Sequence, residues 1–381
     1  MKTKLIAWYL PQYHCIPEND IFWGKGFTDW VTVKNAKPLY KGHHQPRVPL
    51  NNNYYDLSIK DNIVWQTKLA KDYGIYGFGI YHYWFNNEKN LLTRPVDIIY
   101  DNKDIDIRYF LAWDNASWKR SWSAVDGNAW APIADNNREN QKDNGILIPY
   151  ILGNEADWAN HFNNILPHFK DKRYIKVDNK PIFVILQYDE EIKKMCQYWN
   201  DLAQKDGFCG MYFIFKNKRW FNWDEEAIRF NYEPHYDGWL NPTIWERRLE
   251  KLKKILHIPT GIAIYNYDTI WRRILKNAKN TSNNEILGAF VNYDDSPRRS
   301  SKGIIVKGAS PIKFRKYLLK LIEISEKQGK DYIFITAWNE WGEGAYLEPD
   351  NINDFKYLSV IKDVTNQHNS STLPTTKANV L

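Results

Sequence analysis

Two glutamates three positions apart form the pair of residues in this sequence best suited to acid–base chemistry. Glu340 and Glu343 stand in the segment YIFITAWNEWGEGAYLEP, residues 332–349. Cleaving or transferring a sugar needs one carboxyl group that protonates the glycosidic oxygen and one that acts as base or nucleophile. Residues at i and i+3 are neighbours in a tight or helical turn, so the spacing permits such a pair. Two surface glutamates in an ordinary loop fit the spacing equally well.

A predicted strand delivers these carboxylates. Residues 332–336 are aromatic or β-branched, which favours a buried strand, and Gly342 and Gly344 permit a sharp turn after it. We expect Trp338 and Trp341 to provide an apolar wall that raises the pKa of one carboxyl and stacks on a sugar ring. The segment is therefore a candidate active-site edge.

The high content of Trp and Tyr favours a binding site for a partly polar ligand. The 381 residues include 18 Trp and 25 Tyr, whose rings combine an apolar face with a polar edge, although an aromatic-rich core is the alternative. The net charge of +7 is scattered without a basic run, so we expect no nucleic-acid binding and at most a mild attraction for phosphates or a membrane face. Three cysteines without CxxC spacing, no signal peptide and no apolar stretch of membrane-spanning length predict a cytoplasmic location.

Strands alternate with helices along the chain, which predicts βα units and a parallel sheet. We predict an α/β fold, a (β/α)8 TIM barrel forming a single domain over residues 1–365 with long βα loops, followed by a polar tail, 366–381. A doubly wound sheet is the runner-up, but no GxGxxG or P-loop follows any strand. The predicted strands lie at 5–10, 73–85, 108–113, 181–187, 211–215, 227–232, 261–265, 288–293 and 332–336, with a polar insertion at 124–145, a helix at 242–256 and an amphipathic helix at 311–328.

Polar and aromatic residues cluster after several predicted strands, where a barrel places its active site. The predicted substrate-binding residues are Tyr9, Gln12, His14, Trp30, Tyr81, His82, Trp113, Asn115, Trp118, Glu233, His235, Asp294, Trp338, Asn339 and Trp341. A single histidine would more often be structural, but His14, His82 and His235 at equivalent barrel positions favour hydrogen bonding to a substrate. For Arg298 and Arg299 a loop salt bridge is the favoured interpretation.

Neither a metal nor a cofactor is predicted. The sequence contains no HExxH and no close set of His and Cys ligands. Asp104 and Asp106 form a DxD pattern like that of many metal-dependent glycosyltransferases, but it precedes a strand instead of following one.

Five segments together resemble one known family. They are YLPQYHCIPENDIFWGKGFTDW, YGIYGFGIYHYWF, YDTIW, FVNYDDSPRR and ITAWNEWGEGAYLEPD. They are similar to the WbsX-type family of bacterial surface-polysaccharide loci, described as glycosyltransferases, and the likeness runs from about Leu5 to Val364. That family is related to glycoside hydrolase family 99, the retaining endo-α-mannosidases, which are (β/α)8 barrels.

The resemblance implies roles for both glutamates. The hydrolase motif falls on Glu340 and Glu343-Gly344. Glu340 would deprotonate the sugar 2-hydroxyl so that it attacks its own anomeric carbon, and Glu343 would be general acid and then base for the acceptor, with no metal or nucleotide. Where relatives show a WANENW-like segment this chain reads WDNASW, with Ala116 replacing the acidic residue.

Two hypotheses follow. The first is an enzyme of O-antigen- or capsule-type polysaccharide biosynthesis, a glycosyltransferase or retaining endo-glycosidase. It would act on an oligosaccharide or lipid-linked glycan, with peripheral membrane association and no transmembrane segment. The second, prompted by Ala116, is a non-catalytic glycan-binding barrel.

Overall fold

Eight parallel strands close into a barrel in the computed structural model, which describes residues 3–119, 146–219, 221–240, 248 and 262–370. The barrel strands are hydrogen-bonded in chain order, and the last of them pairs with the first, which also pairs with the second. The predicted (β/α)8 barrel is therefore confirmed. The strands of the described residues are β1 Lys4–Tyr9, β2 Gly77–Asn86, β3 Lys89–Leu91, β4 Arg108–Trp113, β5 Trp118–Lys119, β6 Ile146–Ile148, β7 Lys176–Val177, β8 Lys180–Ile185, β9 Tyr212–Lys216, β10 Ile228–Phe230, β11 Ala263–Asn266, β12 Glu285–Phe290, β13 Ile304–Lys307, β14 Tyr332–Thr336, β15 Asn339–Glu340 and β16 Ala345–Tyr346.

The barrel itself consists of β1, β2, β4, β8, β9, β10, β12 and β14. Helices connect these strands or follow the last of them. They are α1 Pro17–Trp23, α2 Asp29–Asn35, α3 Lys60–Asp72, α4 Arg94–Asp101, α5 Glu155–Lys170, α6 Glu190–Lys205, α7 His235–Gly238, α8 Tyr267–Ala278, α9 Ser296–Arg299, α10 Pro311–Lys327 and α11 Lys356–Ser370. None of the helices in these described ranges is long and apolar enough to cross a bilayer.

Aromatic side chains fill the barrel interior. The Trp8 ring lies 5.0 Å from Phe230, 5.1 Å from Phe334 and 5.9 Å from Phe110, measured between ring centroids. Gly79 makes room for them, because a Cβ there would stand 2.7 Å from the Trp8 ring. The glycines of β2 are therefore explained by close packing, and many of the aromatic residues belong to the core.

Helix α10 shows why the outer layer forms where the sequence predicts it. Ser310 caps its first turn by accepting a hydrogen bond from the Lys313 amide, and Pro311 occupies the first helical position. Its apolar stripe, which includes Phe314, Leu318 and Leu321, is buried. Capping and periodicity agree, so this helix begins at the predicted residue.

One predicted strand does not belong to the barrel. The strand predicted at 261–265 is β11, which pairs with β13 in a separate two-stranded sheet. The side chains of Ala263 and Ile264 are exposed, whereas barrel strands are buried on both faces. The predicted insertion at 124–145 lies outside the described residues. Of the predicted helix at 242–256, the structure describes residue 248 alone. Helix α11 runs to Ser370, past the predicted start of the tail, and residues 371–381 are not described.

Candidate active site

A cavity of about 320 Å³ opens at the carboxyl ends of the barrel strands. Its wall is built from residues of β2 and β9 and from the segments that follow β1, β4, β8, β10, β12 and β14, together with part of helices α1 and α2. The residues that line it are Leu10, Gln12, Asn19, Trp23, Phe27, Asp29, Thr32, Tyr81, Tyr83, Asp114, Trp118, Lys119, Leu147, Leu186, Gln187, Lys216, Tyr232, His235, Arg298, Arg299, Glu340 and Glu343.

Glu340 and Glu343 stand on a short hairpin after the last barrel strand. Strands β15 and β16 pair antiparallel across a single 3₁₀ turn, residues 341–343. Asn339 ties this hairpin to the end of β1: its Oδ1 accepts from the Leu10 amide at 2.7 Å and its Nδ2 donates to the Leu10 carbonyl at 3.0 Å. The hairpin is therefore fixed to the barrel directly before the first glutamate.

One guanidinium contacts both glutamates. Arg298 Nη1 lies 2.8 Å from Glu343 Oε1, and Arg298 Nη2 lies 3.2 Å from Glu340 Oε2. The same side chain forms two hydrogen bonds with Asp29, at 2.8 and 3.3 Å. Arg298 thus holds the two carboxylates side by side, while Asp29 fixes the orientation of the guanidinium plane.

Gly342, between the glutamates, allows this arrangement. A Cβ at this position would lie 2.6 Å from Arg298 Nε and 2.6 Å from Asp29 Oδ2. Any side chain would push the ion pair away from the hairpin. Gly344 then turns the chain in the left-handed region, with φ of 58°.

Burial and charge repulsion raise the pKa of Glu340 to about 8. Burial is the larger cause, the neighbouring Glu343 adds to it, and Arg298 opposes both. In the unliganded site Glu340 therefore holds its proton up to about pH 8. The less exposed of the two is Glu340, with 5% of its side chain exposed against 20% for Glu343.

The structure places Trp338 and Trp341 in the layer behind the cavity, not on its wall. The Trp341 ring stacks on Tyr346 with centroids 3.7 Å apart, and its Nε1 donates to Glu348 Oε2 at 2.7 Å. Burial raises the pKa of Glu348 to about 7. Trp338 packs against Phe78. The two indoles anchor the hairpin because their apolar rings are drawn into the core.

Six of the predicted residues line the cavity: Gln12, Tyr81, Trp118, His235, Glu340 and Glu343. The Tyr81 hydroxyl lies 2.8 Å from that of Tyr232, and Gln12 donates to the Tyr83 hydroxyl at 2.8 Å. The His235 ring is 3.3 Å from the Tyr293 hydroxyl, and burial lowers its pKa well below the usual value. These groups present hydroxyl, amide and neutral imidazole edges beside aromatic faces.

The remaining predicted residues lie behind the lining and make contacts within the protein. Tyr9 donates to Gln66, Trp30 to the Tyr55 carbonyl, and Trp113 to the Trp84 carbonyl. Asn115 exchanges two hydrogen bonds with the backbone of Gln187 and so joins the segments after β4 and β8.

The three histidines were predicted to occupy equivalent substrate-binding positions. Of the three, His235 alone lines the cavity. His82 Nε2 lies 2.8 Å from His161 Nε2, and burial lowers the pKa of His82 to about 3. His14 is buried, and burial lowers its pKa as well. A neutral, buried imidazole at these two positions is a packing group.

Glu233 and Asp294 are buried carboxyl groups beside the site. Glu233 accepts from the Asp237 amide, and burial raises its pKa well above the usual value. Asp294 Oδ2 lies 2.8 Å from His43 Nε2 and 2.8 Å from Gln45 Nε2. These partners, with the nearby Arg47, outweigh burial and lower the pKa of Asp294. Asp294 therefore ties the loop of residues 43–47 to the segment after β12.

Sequence reasoning did not select Asp29, Asp114, Lys216, Tyr232, Arg298 or Arg299 as site residues. Asp114 and Lys216 stand at the ends of β4 and β9, a position that could have identified them. Asp29 and Arg298 are 269 positions apart, and no local pattern predicts their pairing.

No group of three or more His, Cys, Asp or Glu side chains in the described ranges is arranged to hold a metal ion. The DxD pattern lies before β4, at the opposite end of the barrel from the cavity. There Asp104 pairs with Lys60 and Asp106 with Lys71. Its carboxylates therefore form surface ion pairs.

The family described as "Glycosyltransferase WbsX" matches residues 5–361. With the barrel, this match defines a carbohydrate-active protein of the TIM-barrel type. The chain belongs to the WbsX glycosyltransferase family, which confirms the resemblance given by its motifs.

Two similar sequences are both called uncharacterized protein WxcX, from Xanthomonas campestris pv. campestris. The chain is 27% identical to that of strain B100 and 28% to that of strain ATCC 33913, in each case over 373 residues. The aligned region covers 95% of this chain and 49% of each relative. The chain spans about half the length of the curated relatives it matches.

Solved structures share the fold. The GH99 endo-alpha-mannosidase from Bacteroides thetaiotaomicron superimposes with a TM-score of 0.54 at 13% identity, covering 96% of this chain and 98% of the other. A glycoside hydrolase-like protein gives a TM-score of 0.52 at 14% identity, covering 95% and 94%. At these identities the likeness concerns the barrel alone.

Proposed function

We propose that this chain is an enzyme of bacterial surface-polysaccharide biosynthesis that makes or breaks glycosidic bonds with Glu340 and Glu343. The reaction proceeds with retention of configuration, as a glycosyl transfer or an endo-type cleavage. The barrel and its helices, residues 1–365, act as one catalytic domain. Family membership supports the substrate class, and the site geometry supports the residues.

The observation that carries this proposal is the pairing of both glutamates with one arginine. Arg298 Nη1 and Nη2 contact Glu343 and Glu340 at 2.8 and 3.2 Å within the cavity. Two carboxyl groups bound to one guanidinium lie close enough to act on the same glycosidic bond, one as acid and the other as base. Two solvated loop glutamates would have no such constraint.

The reaction is a neighbouring-group displacement in two steps. Glu340 takes the proton of the sugar 2-hydroxyl, and the resulting oxygen attacks the anomeric carbon as the glycosidic bond breaks. Glu343 gives its proton to the departing oxygen. In the second step Glu343 takes a proton from the acceptor hydroxyl, which opens the three-membered ring at the anomeric carbon, while Glu340 returns its proton to O2. Two inversions give net retention.

The proton must lie on Glu343 when the reaction starts. In the unliganded site the more buried Glu340 is the group with the raised pKa, about 8, so substrate binding has to shift the proton within the pair. The pair then needs one proton in total. We expect kcat/KM to fall above about pH 8, because the last proton leaves the pair there.

The proposed substrate is an oligosaccharide or a lipid-linked glycan, handled in the cytoplasm at or near a membrane face. Tyr81, Tyr83, Trp118 and Tyr232 line the cavity and offer rings for sugar CH faces. The three cysteines are free, as expected in a reducing compartment.

The test is to incubate the purified protein with a panel of oligosaccharides, with and without nucleotide-sugars, and to follow products by mass spectrometry. Fragments formed without a nucleotide-sugar identify a hydrolase or transglycosylase. Elongation that requires a nucleotide-sugar identifies a transferase of a different mechanism and removes the neighbouring-group scheme.

A non-catalytic glycan-binding barrel is the second candidate, favoured by Ala116. Ala116 stands between Asp114 and Trp118, both of which line the cavity, and its methyl group offers no acid. Such a protein would bind glycans in calorimetry and give no product with any member of the panel. Turnover of one oligosaccharide would exclude it.

A further inference from the structure

Lys216 presents its amino group to the cavity at the end of β9. Its Nζ lies 4.6 Å from the centroid of the Tyr232 ring, and the side chain is half-buried. Within the described ranges no carboxylate pairs with this ammonium group. A partly desolvated ammonium without a hydrogen-bond acceptor is costly, so a ligand that supplies an acceptor would be favoured here.

Arg299 lines the same part of the cavity. Its Nε pairs with Asp295 Oδ2 at 3.2 Å, and 48% of its side chain remains exposed. A guanidinium carries five N–H donors, so one ion pair leaves capacity for a second acceptor. Burial lowers the pKa of His235, and the charges of Lys216 and Arg299 add to this shift, so both cations lie near this ring.

Two carboxylates act on Lys216 through space, and neither forms an ion pair with it. Burial lowers the pKa of the Lys216 amine, and the charges of Asp114 and Glu343 oppose that shift. Glu343 already pairs with Arg298. Within the described ranges Lys216 therefore keeps its N–H donors unused, in the same cavity as Arg299.

We propose that Lys216 and Arg299 form a subsite for an oxyanion, a carboxylate or a phosphate, carried by the glycan substrate. The inference rests on the proposed function and deepens it by naming an acidic rather than a neutral glycan as substrate. Tyr232 positions the Lys216 amine, and the half-buried His235 lines the same cavity as the two cations. No covalent step is involved.

The test compares glucose, glucuronate and inorganic phosphate by calorimetry at neutral pH and low salt. Glucose and glucuronate differ only in the carboxylate. The titrations use the wild type, Lys216→Met, Arg299→Gln and, as a matched control, Lys172→Met on the exposed surface. Melting curves establish that each variant is folded.

We expect glucuronate to bind at least about tenfold more tightly than glucose, the usual scale of one charged hydrogen bond. Lys216→Met should remove that difference, Arg299→Gln should reduce it, and Lys172→Met should leave it intact. Binding of phosphate with the same variant pattern would point to a phosphate-bearing glycan, and glucuronate binding alone to an acidic sugar; both support the subsite.

Equal affinity for glucose and glucuronate, with no phosphate binding, would overturn the inference. So would anion binding that Lys216→Met leaves unchanged. If either of these results came with turnover of neutral glycans, the subsite proposal would fail and the proposed function would stand. If anions bound tightly but no glycan were turned over, the proposed function would fail and the subsite would stand.

Discussion

At the scale of single residues, Arg298 decides which chemistry the cavity can perform. Its guanidinium contacts three carboxylates, Asp29, Glu340 and Glu343, at 3.3 Å or less. Without this cation two neighbouring carboxylates would repel each other and retain more protons. Arg298 thus lowers the cost of keeping one of them ionised.

Glu343→Gln tests the acid of the pair. The amide keeps the shape and can accept a bond from Arg298, but it cannot deliver a proton, so turnover should fall roughly 1,000-fold. The measurement is product formation on any oligosaccharide that the wild type converts, with Glu88→Gln as exposed control. Wild-type activity in Glu343→Gln, with an unchanged melting curve, would remove Glu343 from the mechanism.

Arg298→Met tests the cation. Arg298 is the group that lowers the pKa of Glu340, so its removal should raise that pKa and move the loss of kcat/KM to a pH above 8. Turnover should drop about 100-fold, the usual cost of an electrostatic group at a reacting centre.

Arg298→Lys should restore part of the pH profile but little of the rate, because lysine keeps the charge and loses the planar fork. An unchanged alkaline limb in Arg298→Met would show that the arginine is merely structural.

At the scale of elements, the hairpin after β14 is held from several sides. Asn339 bonds to the end of β1, Trp341 to Glu348, and the Asp294 amide donates to the Glu343 carbonyl at 2.6 Å. A hairpin fixed at its first strand and at two points of its turn keeps its glutamates in one geometry.

Gly342→Ala tests this fit. The added Cβ would meet Arg298 Nε and Asp29 Oδ2 at 2.6 Å, so the ion pair must shift. We expect about 100-fold lower kcat/KM, because small displacements of catalytic groups are costly. Gly238→Ala is the matched control, since its nearest contact would be an ordinary 3.5 Å. Equal activity in both variants would contradict a tight fit at the hairpin.

At the scale of the whole molecule, buried acids make stability depend on pH. The pKa of Glu340 is about 8 in the folded protein against 4.5 for an ordinary glutamate, so the folded state binds a proton that the unfolded chain releases. Its contribution to stability is fully present below about pH 4.5 and is lost as the pH rises through 8.

Glu340→Gln should therefore lose less stability between pH 5 and pH 9 than the wild type. The difference in the change of unfolding free energy should be on the order of a few kcal/mol, measured by urea denaturation at each pH. Glu88→Gln should follow the wild-type curve. Parallel pH curves for Glu340→Gln and wild type would show that Glu340 carries no excess proton.

The sequence by itself determined the architecture and the hairpin. Eight of the nine predicted strands lie in the barrel, because their signals are local, such as the β-branched run at 332–336. The apolar stripe of helix α10 is a local signal of the same kind. The motif around Glu340 and Glu343 was equally visible, since both glutamates lie within four residues of each other.

The tertiary structure alone decided which side chains face the cavity. Trp338 and Trp341 turn inward and His82 pairs with His161, because burial of an aromatic face depends on neighbours from other strands. Arg298 reaches Asp29 and both glutamates only when α2, α9 and the hairpin converge at one end of the barrel. Side-chain direction and long-range ion pairing are properties of the closed barrel, and no local pattern encodes them.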